Sequence, residues 1–396
     1  MSQDTISKVE LTAYQFEVEN LGLGSHSGLG VSNYEYIKGS KLPVKRLVVQ
    51  IQTRQGLSGE FAVSWGSTEA TFGQMCMAAP HLLGRDPEAR EEIYDDLKRD
   101  LRAYDRMGTG PLDIALWDLA GKKYGTSVSK LLGGYRKRLP VYASTHHGQE
   151  SPGGLDTPQA FADFAASCKA QGINAFKIHG WHDGNVAREI DAALKVRDAV
   201  GPEMDLMNDP ACQLRTWRDA LKLGHALDEA DYFWYEDPYR DASAAAFGHK
   251  LLREKLKTPL MLTEYVRGVE NTANFILAGG TDMVHIDPEY DGGITGARKI
   301  AIFCESLGLD VQCHACGPAQ RHLIAALRNT KYYELALVGP DMPNLIAPVY
   351  ACSYSDQLED VGPDGTVDVP EGPGLGVTLD WDFIAAHTVE KREFTL

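Results

Sequence analysis

Beyond Leu139 the chain settles into a rhythm. Short runs of mostly apolar residues alternate with longer segments whose apolar positions recur every three to four residues. The short runs are Val141–Ser144, Ala175–His179, Asp205–Asp209, Tyr232–Glu236, Leu260–Glu264, Met283–Asp287, Val311–His314 and Tyr332–Val338. They recur roughly every 20–35 residues, the length of a strand plus its crossover helix. Eight such units in series favour a closed α/β barrel over an open sheet.

The pattern upstream is different. Residues 8–16 and 45–53 read as strands, the second on the β-branched, alternating run Leu47-Val48-Val49-Gln50-Ile51-Gln52-Thr53. Between them, Gly22 to Gly39 is rich in Gly and Ser, with Gly24-Ser25-His26-Ser27-Gly28 at its centre. That composition predicts a loop, either a mobile one over a site or a plain surface connection. From 70 to 125 the period turns helical. Pro111 opens a run with apolar Leu112, Ile114, Ala115, Leu116, Leu119 and Ala120, proline in a first turn. The tail after 351, with Gly362, Gly365, Gly372, Gly374 and Gly376, is turn-rich and is expected to pack back on the first domain.

Composition narrows the function. A 396-residue chain suits two domains, one of them barrel-sized. A net charge of −16 repels phosphate backbones and anionic lipids, which argues against nucleic acid and membrane partners. An anionic substrate then needs local cations at its site. The start, Met1-Ser2-Gln3-Asp4-Thr5, lacks the features of a signal peptide, and no apolar run reaches membrane length. Seven scattered cysteines fit reduced thiols in the cytoplasm.

A buried parallel strand should be apolar throughout. Here most of the strands end in a charged or ionisable residue, the set being Lys177 and His179, Asp209, Glu236, Glu264, Asp287, His314 and Glu334. In a barrel those ends open on one face, the face that carries active sites. Asp209, Glu236 and Glu264 come from three consecutive strands. Carboxylates brought together repel, and a hard divalent cation such as Mg²⁺ removes the conflict. The alternative is three independent surface acids. Lys177 and His179, at i and i+2, share one side of their strand. His179 reads as a base or as a hydrogen-bonded core histidine. Asp287 behind His314 would fix a tautomer and make a second acid/base. His146 and His147 either touch substrate or line the rim. Cys313-His314-Ala315-Cys316 contains a C-x-x-C, but no second cysteine pair accompanies it to build a zinc site.

These residues resemble those of a family. Pro111-Leu112-Asp113-Ile114-Ala115-Leu116-Trp117-Asp118-Leu119-Ala120-Gly121-Lys122, then Leu131-Leu132-Gly133-Gly134, is similar to the N-terminal signature of the enolase superfamily, mandelate racemase-like subgroup. Tyr235-Glu236-Asp237-Pro238, Asp287 followed by Gly292-Gly293-Ile294-Thr295-Gly296, and Pro373-Gly374-Leu375-Gly376 resemble three more of its motifs.

The resemblance spans the chain and implies a (β/α)7β modified TIM barrel with an α+β capping domain. The boundaries would be 1–135 for the cap, 136–350 for the barrel and 351–396 for a C-terminal segment on the cap. It implies Mg²⁺ on Asp209, Glu236 and Glu264, an Asp287–His314 dyad facing the Lys177–His179 strand, and Glu334 hydrogen-bonding the substrate carboxylate. His26, on the glycine-rich loop, falls where the cap reads substrate. A homo-oligomer and a small carboxylate substrate are implied as well. Where the subgroup has Lys-x-Lys, this chain has Lys177-Ile178-His179, and Pro210 follows the first acid. The expected reaction removes the proton α to a carboxylate. It would dehydrate an acid sugar, with racemisation, epimerisation or cycloisomerisation as the alternative. A non-catalytic barrel and a thiol-based redox or zinc protein are the rivals from other classes.

Overall fold

The computed structural model describes residues 4–24, 34–64, 68–240, 243–343, 345 and 348–396. Its first sheet is antiparallel. β1 (Ile6–Leu23) pairs with β2 (Tyr34–Thr53), and β2 with β3 (Ser58–Val63). Helices α1 (Thr68–Ala78), α2 (Arg90–Asp100) and α3 (Thr109–Tyr124) follow.

The second sheet is the barrel. Its strands are β4 (Arg138–Gly148), β5 (Ala175–Trp181), β6 (Asp205–Asp209), β7 (Trp234–Glu236), β8 (Leu260–Leu262), β9 (Met283–Ile286), β10 (Val311–Cys313) and β11 (Tyr333–Val338). They lie parallel in the order β10-β9-β8-β7-β6-β5-β4-β11. One helix follows each strand from β4 to β10, the longest being Val186–Val200 and Gly293–Ser306. This is the (β/α)7β order. The seam between β10 and β11 has no ladder. It closes through Gln312 Nε2 to Tyr332 O (3.2 Å) and Val311 N to Asn329 O (2.8 Å). β12 (Thr366–Asp368) runs antiparallel to the start of β4, and β13 (Thr388–Thr395) returns to pair with β1.

Side chains inside the barrel are layered. Tyr142, Ala175, Met207, Trp234, Met261 and Tyr332 form a buried apolar cluster across the lower interior. Two residues further along most of these strands, on the same face by the period of two, come Ser144, Lys177, Asp209, Glu236, Thr263 and Glu334. The interior changes from apolar floor to charged layer in one step of the pleat.

The glycines of the Gly292-to-Gly296 motif now have a cause. Asp113 of α3 accepts from Thr295 N (3.0 Å) and Thr295 Oγ1 (2.6 Å), tying the N-terminal helices to the barrel. A Cβ on Gly293, whose φ is +84°, would lie 2.0 Å from the Asp113 carboxylate. Only glycine permits that approach.

Three sequence expectations need correction. The Gly22–Gly39 stretch is not all loop: β1 runs to Leu23 and β2 starts at Tyr34, leaving Ser25–Asn33 outside the described residues. Left-handed Asn20 (φ 59°) and Gly39 (φ 81°), joined by Gly39 N to Asn20 Oδ1 at 2.8 Å, turn this ribbon without ending it. The strand expected over Leu260–Glu264 stops at Leu262, because Thr263 takes a φ of 91°. The run expected over Tyr232–Glu236 pairs only from Trp234.

Glu189 gives the fold a pH signature. It is 1% exposed and accepts from Trp181 N (2.8 Å), while its Oε2 has no hydrogen-bond partner. Burial pushes its carboxyl up to about 8, against a weaker pull from that hydrogen bond and Arg188. The folded state therefore keeps a proton that the unfolded state loses near 4.5, so stability falls as pH rises from about 4.5 to 8. Glu189→Gln lacks this titration. It should match wild type near pH 4.5 and exceed it by about 2–5 kcal/mol at pH 8, read from urea midpoints at both pH values.

Candidate active site

Lys177 lies at the centre of the charged layer, 1% exposed and 3.1 Å from both Glu236 oxygens. It is also 3.1 Å from Glu334 Oε1 and 3.7 Å from Asp209 Oδ2. Burial opposes its charge, but Glu236 and Glu334 outweigh burial and hold its proton far more tightly than usual. Glu236 is pushed well above the usual carboxylate range, chiefly by burial and despite Lys177. One lysine does not neutralise this layer.

Glu334 is different. Burial raises it, but Lys177, His314 and His285 more than offset that and hold it below the usual range, and it accepts from Ala315 N (2.5 Å). It is thus a hydrogen-bond acceptor. A hydrogen bond from Glu334 to a substrate carboxylate would need a proton on Glu334, which this environment disfavours.

Two histidines have their Nδ1–H groups held. His179 Nδ1 faces Thr145 O at 2.6 Å, which requires an N–H there. Its Nε2 lies 3.0 Å from Asp209 Oδ2. His314, just past β10, has Nδ1 at 2.7 Å from Asp287 Oδ2, and its Nε2 faces Glu264 Oε1 at 3.7 Å. The other Asp287 oxygen accepts from Glu289 N (2.7 Å), so the carboxylate is held on both sides. For His314, burial lowers the pKa, but Glu264 and Asp287 outweigh it and raise it to about 10. Each ring therefore presents Nε2 as its working atom, from different walls of the mouth.

Asp209 is held below the usual range because His179 and Lys177 outweigh burial. Glu264 sits beyond the end of β8. Among the described residues, the group with metal-ligand spacing is Glu236, Glu264 and His285, whose donor atoms lie within 4.8 Å of one another. Asp209 shares the layer but faces the lysine and His179. His285 escaped the sequence reading. It stands two residues before Asp287, so the i, i+2 rule that paired Lys177 with His179 was there to find it. Burial, then His314 and Lys177, hold its pKa well below the ordinary value.

A register shift in β4 separates the two adjacent histidines. Ser144 pairs with Lys177, but the next pair is His147 with His179. The ring centroids of His147 and His179 are 4.9 Å apart, and His147 Nδ1 is 3.1 Å from Gly180 O. His146 is buried, with Nε2 unpartnered and its pKa lowered to about 3 by burial and His179. His26 lies outside the described residues. The antiparallel sheet reaches this mouth. Gln149, after β4, exchanges hydrogen bonds with Tyr36 of β2 (3.0 and 3.3 Å), and Ser64 N donates to Glu289 Oε1 (3.2 Å). Cys313 and Cys316 are buried free thiols, and the Cys316 thiol donates to Ala336 O (3.1 Å). No helix among the described residues is long and apolar enough to cross a membrane.

A barrel whose mouth gathers Lys177, strand-end carboxylates and an Asp–His dyad under an antiparallel cap defines an enzyme class. Residues 160–383 match the model of the enolase C-terminal domain-like family, and residues 40–133 that of the mandelate racemase / muconate lactonizing enzyme N-terminal domain. The chain belongs to the enolase superfamily, with mandelate racemase-type domains at both ends.

It is 29% identical over 365 residues to the L-talarate/galactarate dehydratase of Salmonella typhimurium, covering 88% of this chain and 85% of that one. It is 30% identical over 321 residues to the D-galactarolactone cycloisomerase of Agrobacterium fabrum, covering 76% and 80%. The crystal structure of D-glucarate dehydratase from Agrobacterium tumefaciens complexed with magnesium superimposes with a TM-score of 0.85 at 27% identity, covering 98% of this chain and 100% of that one.

Proposed function

We propose that this enzyme dehydrates an acid sugar, an aldarate or aldonate, to the 2-keto-3-deoxy acid. The observation that carries the reading is the pair of rings whose Nδ1–H groups are held, His179 and His314, aimed from two walls across a layer held by Lys177. Dehydratases among its relatives support the substrate class.

Asp209, Glu236 and Glu264 would hold a divalent cation, Mg²⁺ by analogy with the magnesium complex of the D-glucarate dehydratase. The residues fit one: Glu236 stays pushed up despite Lys177, and the ring nitrogens of His285 have no hydrogen-bond partner beside it. Such a cation supplies positive charge to the substrate carboxylate. Lys177 adds its own where negative charge develops as the α-proton leaves. With Asp209 turned to the cation and Nε2 released from it, His179 Nε2 would take that proton, and the C–H electron pair becomes the C=C bond of an enediolate. Collapse of the enediolate expels the β-hydroxyl, His314 Nε2 protonates it to water, and the resulting enol tautomerises to the keto acid. His147, 4.9 Å from His179 between ring centroids, would meet the hydroxyls of the substrate. A second reading, cycloisomerisation, has the A. fabrum relative in its favour.

The test is a 2-keto-acid assay with Mg²⁺ over mono- and diacid sugars, each incubation also followed by proton NMR in D₂O. A keto product from one acid is the expected result. Loss of an α-proton signal or a rearranged ring with no keto product would replace dehydration by isomerisation. No change with any acid sugar would remove the substrate class.

A further inference from the structure

His285 is 2% exposed, and neither ring nitrogen has a hydrogen-bond partner. Leaving a buried polar group unpaired is costly, so a side chain in this state is expected to have another use. Its Nδ1 lies 3.5 Å from Glu236 Oε1 and 3.7 Å from Glu264 Oε2. Those separations are long for hydrogen bonds. They match donors that share one cation: atoms each about 2.0–2.2 Å from a metal stand about 3–4 Å from one another. The strand fixes the aim. His285 is on β9 and Asp287 two residues on, so both face into the barrel, with His285 one layer deeper. The ring centroids of His285 and His314 are 5.4 Å apart and nearly perpendicular, which leaves His314 to Asp287 and points His285 at the two glutamates.

The geometry points to His285 as a nitrogen ligand of the cation held by Glu236 and Glu264. The site is then a mixed oxygen–nitrogen site that favours a first-row transition-metal cation such as Mn²⁺ or Co²⁺ over Mg²⁺. Imidazole strengthens binding of later first-row metals more than it does that of a hard, oxygen-seeking ion. The inference rests on the divalent-cation reading above and adds to it the donor set and the preferred metal.

The test uses the full chain, stripped with chelator and reloaded with one equivalent of Mn²⁺. Pulsed electron paramagnetic resonance reads nitrogen coupling at the ion, and calorimetry reads Mn²⁺ and Mg²⁺ affinities. Wild type should show a ¹⁴N coupling and bind Mn²⁺ about tenfold or more tightly than Mg²⁺. In His285→Gln the coupling should vanish and the preference shrink. Bound Mn²⁺ without nitrogen coupling in wild type overturns the inference while leaving the cation reading intact, and this measurement needs no variant to fold. A coupling that persists in His285→Gln but disappears in His314→Gln assigns the nitrogen elsewhere and also overturns it. Failure of either ion to bind the wild type overturns the cation reading itself.

Discussion

In His314→Asn, keto-acid formation should fall about a thousandfold or more, while the variant still exchanges the substrate α-proton with D₂O. Removing a positioned general acid costs about 10²–10⁴ in rate. The α-proton, by contrast, is assigned to His179 on another wall. The split follows from the site: the Asp287 carboxylate holds Nδ1–H at 2.7 Å and stabilises the protonated ring, so His314 enters the reaction as the acid. Calorimetric binding of the divalent cation and the melting temperature should stay near wild type. Loss of exchange together with elimination would make His314 the base, with His179 a positioning residue. Turnover at the wild-type rate would remove the dyad from the chemistry.

Lys177→Met should be the most destabilising change in the site. The ammonium is buried among Glu236, Glu334 and Asp209 at 3.1–3.7 Å, and deleting it leaves carboxylates without their counter-charge. Breaking one partner out of a buried pair costs about 3–5 kcal/mol. Methionine keeps the stem volume, so the loss reads charge and not packing. Added Mg²⁺ should restore part of the melting temperature, because a cation that binds the folded state replaces some of the missing charge and stabilises by mass action. An unchanged melting temperature in the metal-free variant would show that the carboxylates protonate without cost. A loss that no divalent cation repairs would speak against their role as a metal cradle.

The architecture was legible because a buried parallel strand has no reason to end in a charge. That single conflict between burial and polarity marked Lys177, Asp209, Glu236, Asp287, His314 and Glu334. The motifs then named the family. What stayed hidden depended on backbone irregularity and on depth. Nothing in His146-His147 announces a register shift in β4, so which ring meets His179 could not be read. Thr263 gives no sign of the positive φ that ends β8 at Leu262, two residues before Glu264. His285 lies mid-strand and was passed over because attention went to the strand ends. The Gly293 motif was recognised as a pattern, but its reason, the Asp113 carboxylate 2.0 Å from a would-be Cβ, needs three-dimensional neighbours.

The apolar floor includes a polar atom turned upward: the indole Nε1 of Trp234 donates to Glu236 Oε2 at 2.9 Å. An indole whose N–H is bound to a carboxylate senses that carboxylate's charge. The barrel thus has an optical probe wired to its charged layer, shielded from solvent at 1% exposure. Its emission should shift as Glu236 is neutralised, reporting occupancy of the site without any added label.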